Sequence, residues 1–140
     1  MSIESGIQDH IACQVIEDSK HQVLIIKFLT HDLTSATCAR ELGAQLEALI
    51  PTRERQYFVI DCDCVHSIGS AAFSELLSFV RKARPVWVCN LDNALRFGAA
   101  MVGIDKWVQF AASREAAVNG VQRTAGWDEE DTVDFPARAS

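Results

Sequence analysis

The stretch FVIDCDCVHSIGSAAFSELL, residues 58–77, divides into three parts. Tyr57 to Cys62 is apolar on both faces until Asp61, the pattern of a strand inside a helix-covered sheet. A short polar loop follows. Ser70 then opens a helix that carries Phe73, Leu76, Leu77 and Val80 on one face. A serine at a helix start sits where partly unpaired N–H groups and the helix dipole favour negative charge. A phosphate added there would find donors and would change the local charge by about two units. The segment reads as a switchable protein-binding surface rather than a catalytic pocket.

Strand and helix patterns continue on both sides of this stretch, with no internal repeat. Upstream, residues 11–16 and 22–29 form two strands joined by a polar turn, a hairpin pattern. Thr34 or Ser35 caps a helix whose Cys38, Leu42, Leu46, Leu49 and Ile50 recur near a 3.6 period, and Pro51 ends it. Downstream, Arg84-Pro85 closes the second helix and residues 86–89 form a short buried strand. Asn90 caps a third helix through Val102, with Gly103 as its left-handed C′ residue. Residues 106–110 give the last strand, Ser113 caps the last helix, and Asn119-Gly120 stops it. The predicted order is β-β-α-β-α-β-α-β-α, a mostly parallel α/β sheet with an antiparallel first strand.

The chain has 140 residues, 49% hydrophobic and 23% charged, which fits one globular domain with a real core. We assign that domain to residues 1–120 and treat 121–140 as an acidic tail. The net charge is −6, and half of it lies in residues 121–140, where five acids face Arg123 and Arg138. This balance argues against a nucleic-acid partner. The cluster Arg81, Lys82, Arg84 complements the C-terminal dipole of a helix. The tail has no period, so disorder is expected; an acidic docking segment dotted with Trp127 and Phe135 is the alternative. No apolar run reaches the roughly 18–20 residues of a membrane span, and the polar N-terminus is unlike a signal peptide. Five cysteines without a disulfide spacing point to a reducing cytoplasm.

In this order and spacing the pieces resemble a STAS domain, the fold of bacterial anti-sigma-factor antagonists. The resemblance covers residues 11–120. It rests on residues 58–77, on VWVCN at 86–90 and on VGIDKWVQF at 102–110. In that family the loop before the second helix reads aspartate-serine-serine-glycine-leucine, and an anti-sigma factor that is itself a kinase phosphorylates the first serine. The unphosphorylated antagonist holds the kinase, the phosphorylated form is released, and a phosphatase resets it. Ser70 falls on the phosphorylated serine and Phe73 on the leucine. Gly69, Ala71 and Ala72 replace the aspartate, the second serine and the glycine. The resemblance implies a non-enzymatic, cytoplasmic regulator, a monomer or weak dimer, that binds a kinase-type anti-sigma factor or related partner and requires no cofactor, nucleic acid or membrane. The expected contact set is Thr30, Asp32, His66, Ser67, Gly69, Ser70, Ala71, Phe73 and Ser74. A constitutive adaptor of the same fold, with Ser70 acting only as a helix N-cap, is the alternative.

Other chemistries fit less well. Cys62, Cys64 and His66 at period two would share one strand face, but a closed metal site needs about four ligands, and core packing is expected instead. Asp61 and Asp63 could serve a hydrolase, yet Asp61 at a strand end is expected to bond loop N–H groups. A nucleophile elbow needs glycine two residues before and after the serine, and here Ile68 and Ala72 stand there.

Overall fold

Alternation along the buried strands positions every helix. In the computed structural model, which describes residues 2–7, 10–17, 21–50, 56–83 and 85–125, the elements run β1 (Ser2–Ile7), β2 (Ile11–Glu17), β3 (Gln22–Phe28), β4 (Asp32–Leu33), α1 (Ala36–Glu47), β5 (Gln56–Asp61), β6 (Ser67–Ile68), α2 (Ser70–Lys82), β7 (Val86–Cys89), α3 (Asn93–Met101), a 3-10 turn (Ile104–Lys106), β8 (Val108–Ala111) and α4 (Arg114–Ala125). Six strands form one sheet in the order β1-β2-β3-β5-β7-β8. The β1-β2 and β2-β3 pairs are antiparallel; the remaining three pairs are parallel. This is the expected α/β architecture.

Successive strand residues point to opposite faces. Leu24, Ile26 and Phe28 of β3, Phe58 and Ile60 of β5, and Val86 and Val88 of β7 meet the main core under α1, α2 and α3. Val23, Ile25, Val59 and Cys89 face the other way and meet Ala117 and Val121 of α4. The larger core is closed by Leu42 and Leu46 of α1 and by Phe73, Leu76, Phe79 and Val80 of α2. Phe58 meets Phe79 edge-on with ring centroids 5.4 Å apart, a favoured aromatic geometry.

Several boundaries differ from the sequence reading. A strand, β1, precedes the expected hairpin and pairs with β2 over its whole length. The cap of α3 is Asp92, whose side chain accepts from the Leu95 N–H. Asn90 instead adopts a left-handed φ of 60° and turns its side chain elsewhere. Residues 104–106 are 3-10 and the last strand starts at Val108. Gly120 does not stop α4: it is a contact point, where a Cβ would overlap the Trp87 ring, and the helix runs on through buried Val121 to Ala125. Ser35 and Ser113 do cap α1 and α4, accepting from Cys38 N–H at 3.0 Å and Ala116 N–H at 3.1 Å. Gly103 is left-handed at φ 88°, as a C′ residue should be. α1 ends at Glu47 with Ala48 as its C-cap, so the helix stops short of Leu49 and Ile50, which the sequence pattern includes. Pro51, Arg84 and the tail beyond residue 125 lie outside the described residues.

Candidate functional site

The site is built where β5 and β3 run out at the same end of the sheet. After β5 the chain turns through Asp63 and Cys64, forms the two residues of β6, and enters α2. After β3 it passes Thr30 and His31 into β4. The two short strands pair in parallel, with Asp32 opposite Ser67 and Leu33 opposite Ile68. Thus the loops that carry the expected contact residues form one surface. Main-chain bonds secure it: His31 C=O accepts from His66 N–H at 2.7 Å and Leu33 C=O accepts from Gly69 N–H at 2.9 Å.

Asp32 ties the ladder together with side chains. One of its oxygens, Oδ1, accepts from Thr34 Oγ1 at 2.6 Å, Ser67 Oγ at 2.9 Å and Thr34 N–H at 3.1 Å. The Thr34 and Ser67 hydroxyls hold the carboxyl below its ordinary range against a small opposing effect of desolvation. An anion therefore stands on the exposed rim at neutral pH. His31 Nδ1 bonds the Cys64 carbonyl at 2.7 Å, and its ring meets the exposed His66 edge-on.

Ser70 is exposed and is the first residue of α2. The N-cap position belongs to Gly69, with extended φ and ψ of −89° and 174° and no side chain to bond the first turn. This corrects the alternative in which Ser70 itself caps the helix. Nor does an acid stand in that first turn. Gly69 also allows a close approach: a Cβ there would lie 3.1 Å from Thr34 Cα and 3.2 Å from its carbonyl oxygen, so the residue after β4 packs tightly against the helix entry.

Of the remaining expected contact residues, Ala71 and Ser74 are exposed on α2 and Ser67 is half-buried. Thr30 is half-buried, its hydroxyl bonded to His10 Nδ1. Phe73 is the exception. It is 7% exposed, lies in the main core and packs on Gly98 of α3, where a Cβ would stand 3.0 Å from its ring, so it shapes the surface from beneath.

Beneath the loop lies an ion pair that sequence reading only half captured. Asp61, 4% exposed, accepts from Asp63 N–H at 3.0 Å, as expected for a strand-end aspartate. It also accepts from the Asn90 side-chain amide at 2.9 Å and from Arg114 Nε at 3.0 Å, with Arg114 Nη2 at 2.9 Å. Arg114 reaches on to Gln14 Oε1 of β2. Burial pushes the Asp61 carboxyl up, but these hydrogen bonds and the Arg114 charge outweigh it and hold the group below the usual carboxylate range. The oxygens are thereby committed to neighbours, which leaves Asp61 a brace rather than a nucleophile. Cys62, Cys64 and His66 do not share a strand face, because β5 ends at Asp61; Cys62 is buried and His66 exposed. Among the described residues no group of three or more His, Cys, Asp or Glu could hold a metal ion.

No family model and no curated protein matches the chain. Solved structures do share its fold. A STAS domain protein from Planctomyces limnophilus matches with a TM-score of 0.64 and 15% identity over 78% of this chain and 96% of that one. An anti-sigma factor antagonist from Mycobacterium paratuberculosis matches with 0.58 and 20% identity over 83% and 97%. Bacillus SpoIIAA in its phosphorylated form matches with 0.54 and 15% identity over 78% and 98%. The chain has the STAS fold.

Proposed function

We propose that this chain is a non-enzymatic regulatory module that captures a signalling protein of the anti-sigma kinase type through the Ser70 surface, and that charge at Ser70 controls the capture. The observation that carries this reading is the state of Ser70: an exposed hydroxyl in the first turn of a helix that has no side-chain cap and no acid of its own. The N–H groups of such a turn favour an added anion. The contact surface comprises Asp32, His66, Ser67, Gly69, Ser70, Ala71 and Ser74, with Thr30 at its margin. Two likenesses lend support. The Mycobacterium neighbour is an anti-sigma factor antagonist, and the Bacillus neighbour exists in a phosphorylated form.

The proposed mechanism is electrostatic. A dianion at Ser70 joins the Asp32 carboxylate on the same rim, so partner acids are repelled and the phosphate must be desolvated on docking. A phosphatase would reverse the change. All five cysteines are free, which fits action in the cytoplasm, and no described helix is long and apolar enough to cross a membrane. A constitutive adaptor is the second reading. Gly69 favours it, since the residue before Ser70 offers no carboxylate to a kinase that reads one.

Affinity capture from native extract with wild type, Ser70→Ala and Ser70→Asp as baits tests the switch. A kinase-type ATPase held by the first two and reduced at least about tenfold on the third, equivalent to about 1.4 kcal/mol, supports it. The same partners on all three, with no phosphate on Ser70, leave the adaptor reading and retire the switch.

A further inference from the structure

The large apolar side chains that stand in water collect on one helix. Among the described residues they are Phe97, 69% exposed, Met101, 72%, and Val102, 39%. The first two belong to α3 and the third is its C-cap. Asn93, Ala94 and Ala100 are exposed as well, and they lie three or four residues from Phe97, as Met101 does, so the five share one face. The other sides of the helix are occupied. Leu95 and Ala99 enter the core, and Gly98 meets the Phe73 ring of α2. Arg96, the one charged side chain in α3, is drawn onto the Phe110 ring at 4.5 Å. The outer face therefore carries no charge, on a chain whose net charge is −6. A continuous apolar strip on such a chain marks an association site.

The sequence of α3 says what fits it. With a two-fold axis at Phe97 and a second α3 laid antiparallel across the first, Phe97 faces Phe97, Ala94 faces Ala100 and Asn93 faces Met101. Off the axis, the bulky residue is met by a smaller one and the two alanines meet each other, the self-complementarity that an isologous interface requires. No charge is buried and none has to be matched, so the face is completed by its own copy. The area sets the strength. Aromatic side chains carry roughly 150–250 Å2, so Phe97 offers roughly 130 Å2, and with Met101 and the smaller residues the face offers roughly 400–450 Å2 per copy. Two copies bury about 850 Å2, below the roughly 1,200 Å2 of a stable complex, which makes the pair weak and reversible, with Kd on the order of 10−4 M.

We propose that two copies of this chain associate through the outer face of α3, packed antiparallel about a two-fold axis at Phe97. The face adjoins the Ser70 surface, since Gly98 touches Phe73 in the first turn of α2. The pairing does not rest on the function proposed for that surface.

Sedimentation velocity of the full chain from about 10 µM to about 1 mM tests this, a range that brackets the expected Kd. The expected result is a monomer–dimer equilibrium with no larger species, tightening about threefold between about 50 and 500 mM NaCl as the like charges of the two copies are screened. Phe97→Glu should raise Kd at least tenfold while the thermal melt of the dilute chain is retained. Gln109→Glu, the same added charge on the exposed edge strand β8, should leave Kd within twofold. A rescue reads the register. Met101→Glu should weaken association at least threefold, and Asn93→Lys added to the same chain should restore it, because residue 101 of one copy faces residue 93 of the other. Within one helix these two are about 12 Å apart along the axis, too far to pair. A chain monomeric at about 1 mM would overturn the proposal and leave the face to a different protein. Assembly beyond the dimer, association weakened by salt, a Kd indifferent to Phe97→Glu or equally sensitive to Gln109→Glu, or failure of the rescue would each overturn it as well.

Discussion

Asp61→Asn tests the brace under the loop. The substitution keeps the volume and an acceptor for Asn90, but removes the charge that holds Arg114. Breaking a buried pair costs about 3–5 kcal/mol, and hydrogen bonds to charged groups contribute about 1.5–3 kcal/mol. The Arg114 side chain is 37% exposed, so water screens part of the interaction and the loss is set lower, at about 2 kcal/mol. The pH dependence gives the sharper signature. A carboxyl held down in the folded state contributes stability that is present above its unfolded value, near 3.9, and lost as pH falls through the folded value. The gap between wild type and Asp61→Asn should therefore be complete at pH 7 and should close as pH drops below about 4. In urea, with a slope of about 2 kcal/mol per M, the midpoint at pH 7 falls by about 1 M. Unfolding followed by circular dichroism at pH 7, 5 and 3 reads this directly. A gap under about 0.5 kcal/mol at pH 7, or one unchanged at pH 3, would refute the charge-based account.

Other outcomes follow from the packing. Gly120→Ala should destabilise by about 1–3 kcal/mol through overlap with Trp87 and alter tryptophan emission, although alanine ordinarily gains about 1 kcal/mol in a helix; a raised melting temperature would contradict it. Phe58→Ala, at a fully buried site edge-on to Phe79, should cost about 3–5 kcal/mol in denaturant unfolding. Ser70→Asp should leave the fold intact and add about 0.3–1 kcal/mol, because an acid at the start of α2 complements the dipole; a melting temperature clearly below wild type would count against that placement. Burial pushes the Cys62 thiol up, and burial followed by the Asp61 charge pushes Cys89 up to about 12, so native alkylation at pH 8 should label Cys64 about tenfold faster or more than either.

The parallel core was legible because β3, β5 and β7 are apolar on both faces, and only a sheet covered on both sides makes sense of that. β1 was not, since SIESGI offers no apolar run and its strand character comes from backbone pairing with β2. The helix start at Ser70 was legible, but its N-cap was not: the cap is Gly69, and a glycine leaves no side-chain signal. Asn90 is a good cap by type, but Asp61 claims its amide, so Asp92 does the capping. The Asp61–Arg114 pair joins residues 53 apart in sequence, and no local pattern announces it. The β4-β6 ladder is two residues long on each side, too short for any period, yet it is what gathers the candidate surface.

The described strands also lie in the sheet in an order that bears on how the chain is made. From β1 to β8, each main-sheet strand adds to the outer side of the one before it, and none is inserted between earlier pairs. During synthesis, which proceeds from the N-terminus at about 5–20 residues per second, every emerging strand finds its neighbour already present. The second face is different. Val23, Ile25, Val59 and Cys89 wait uncovered until α4, the last described element, can bring Ala117 and Val121 to them. A nascent chain halted before residue 114 would thus carry a paired sheet with one greasy side open to water, the form in which this domain is most exposed to aggregation and most in need of a chaperone.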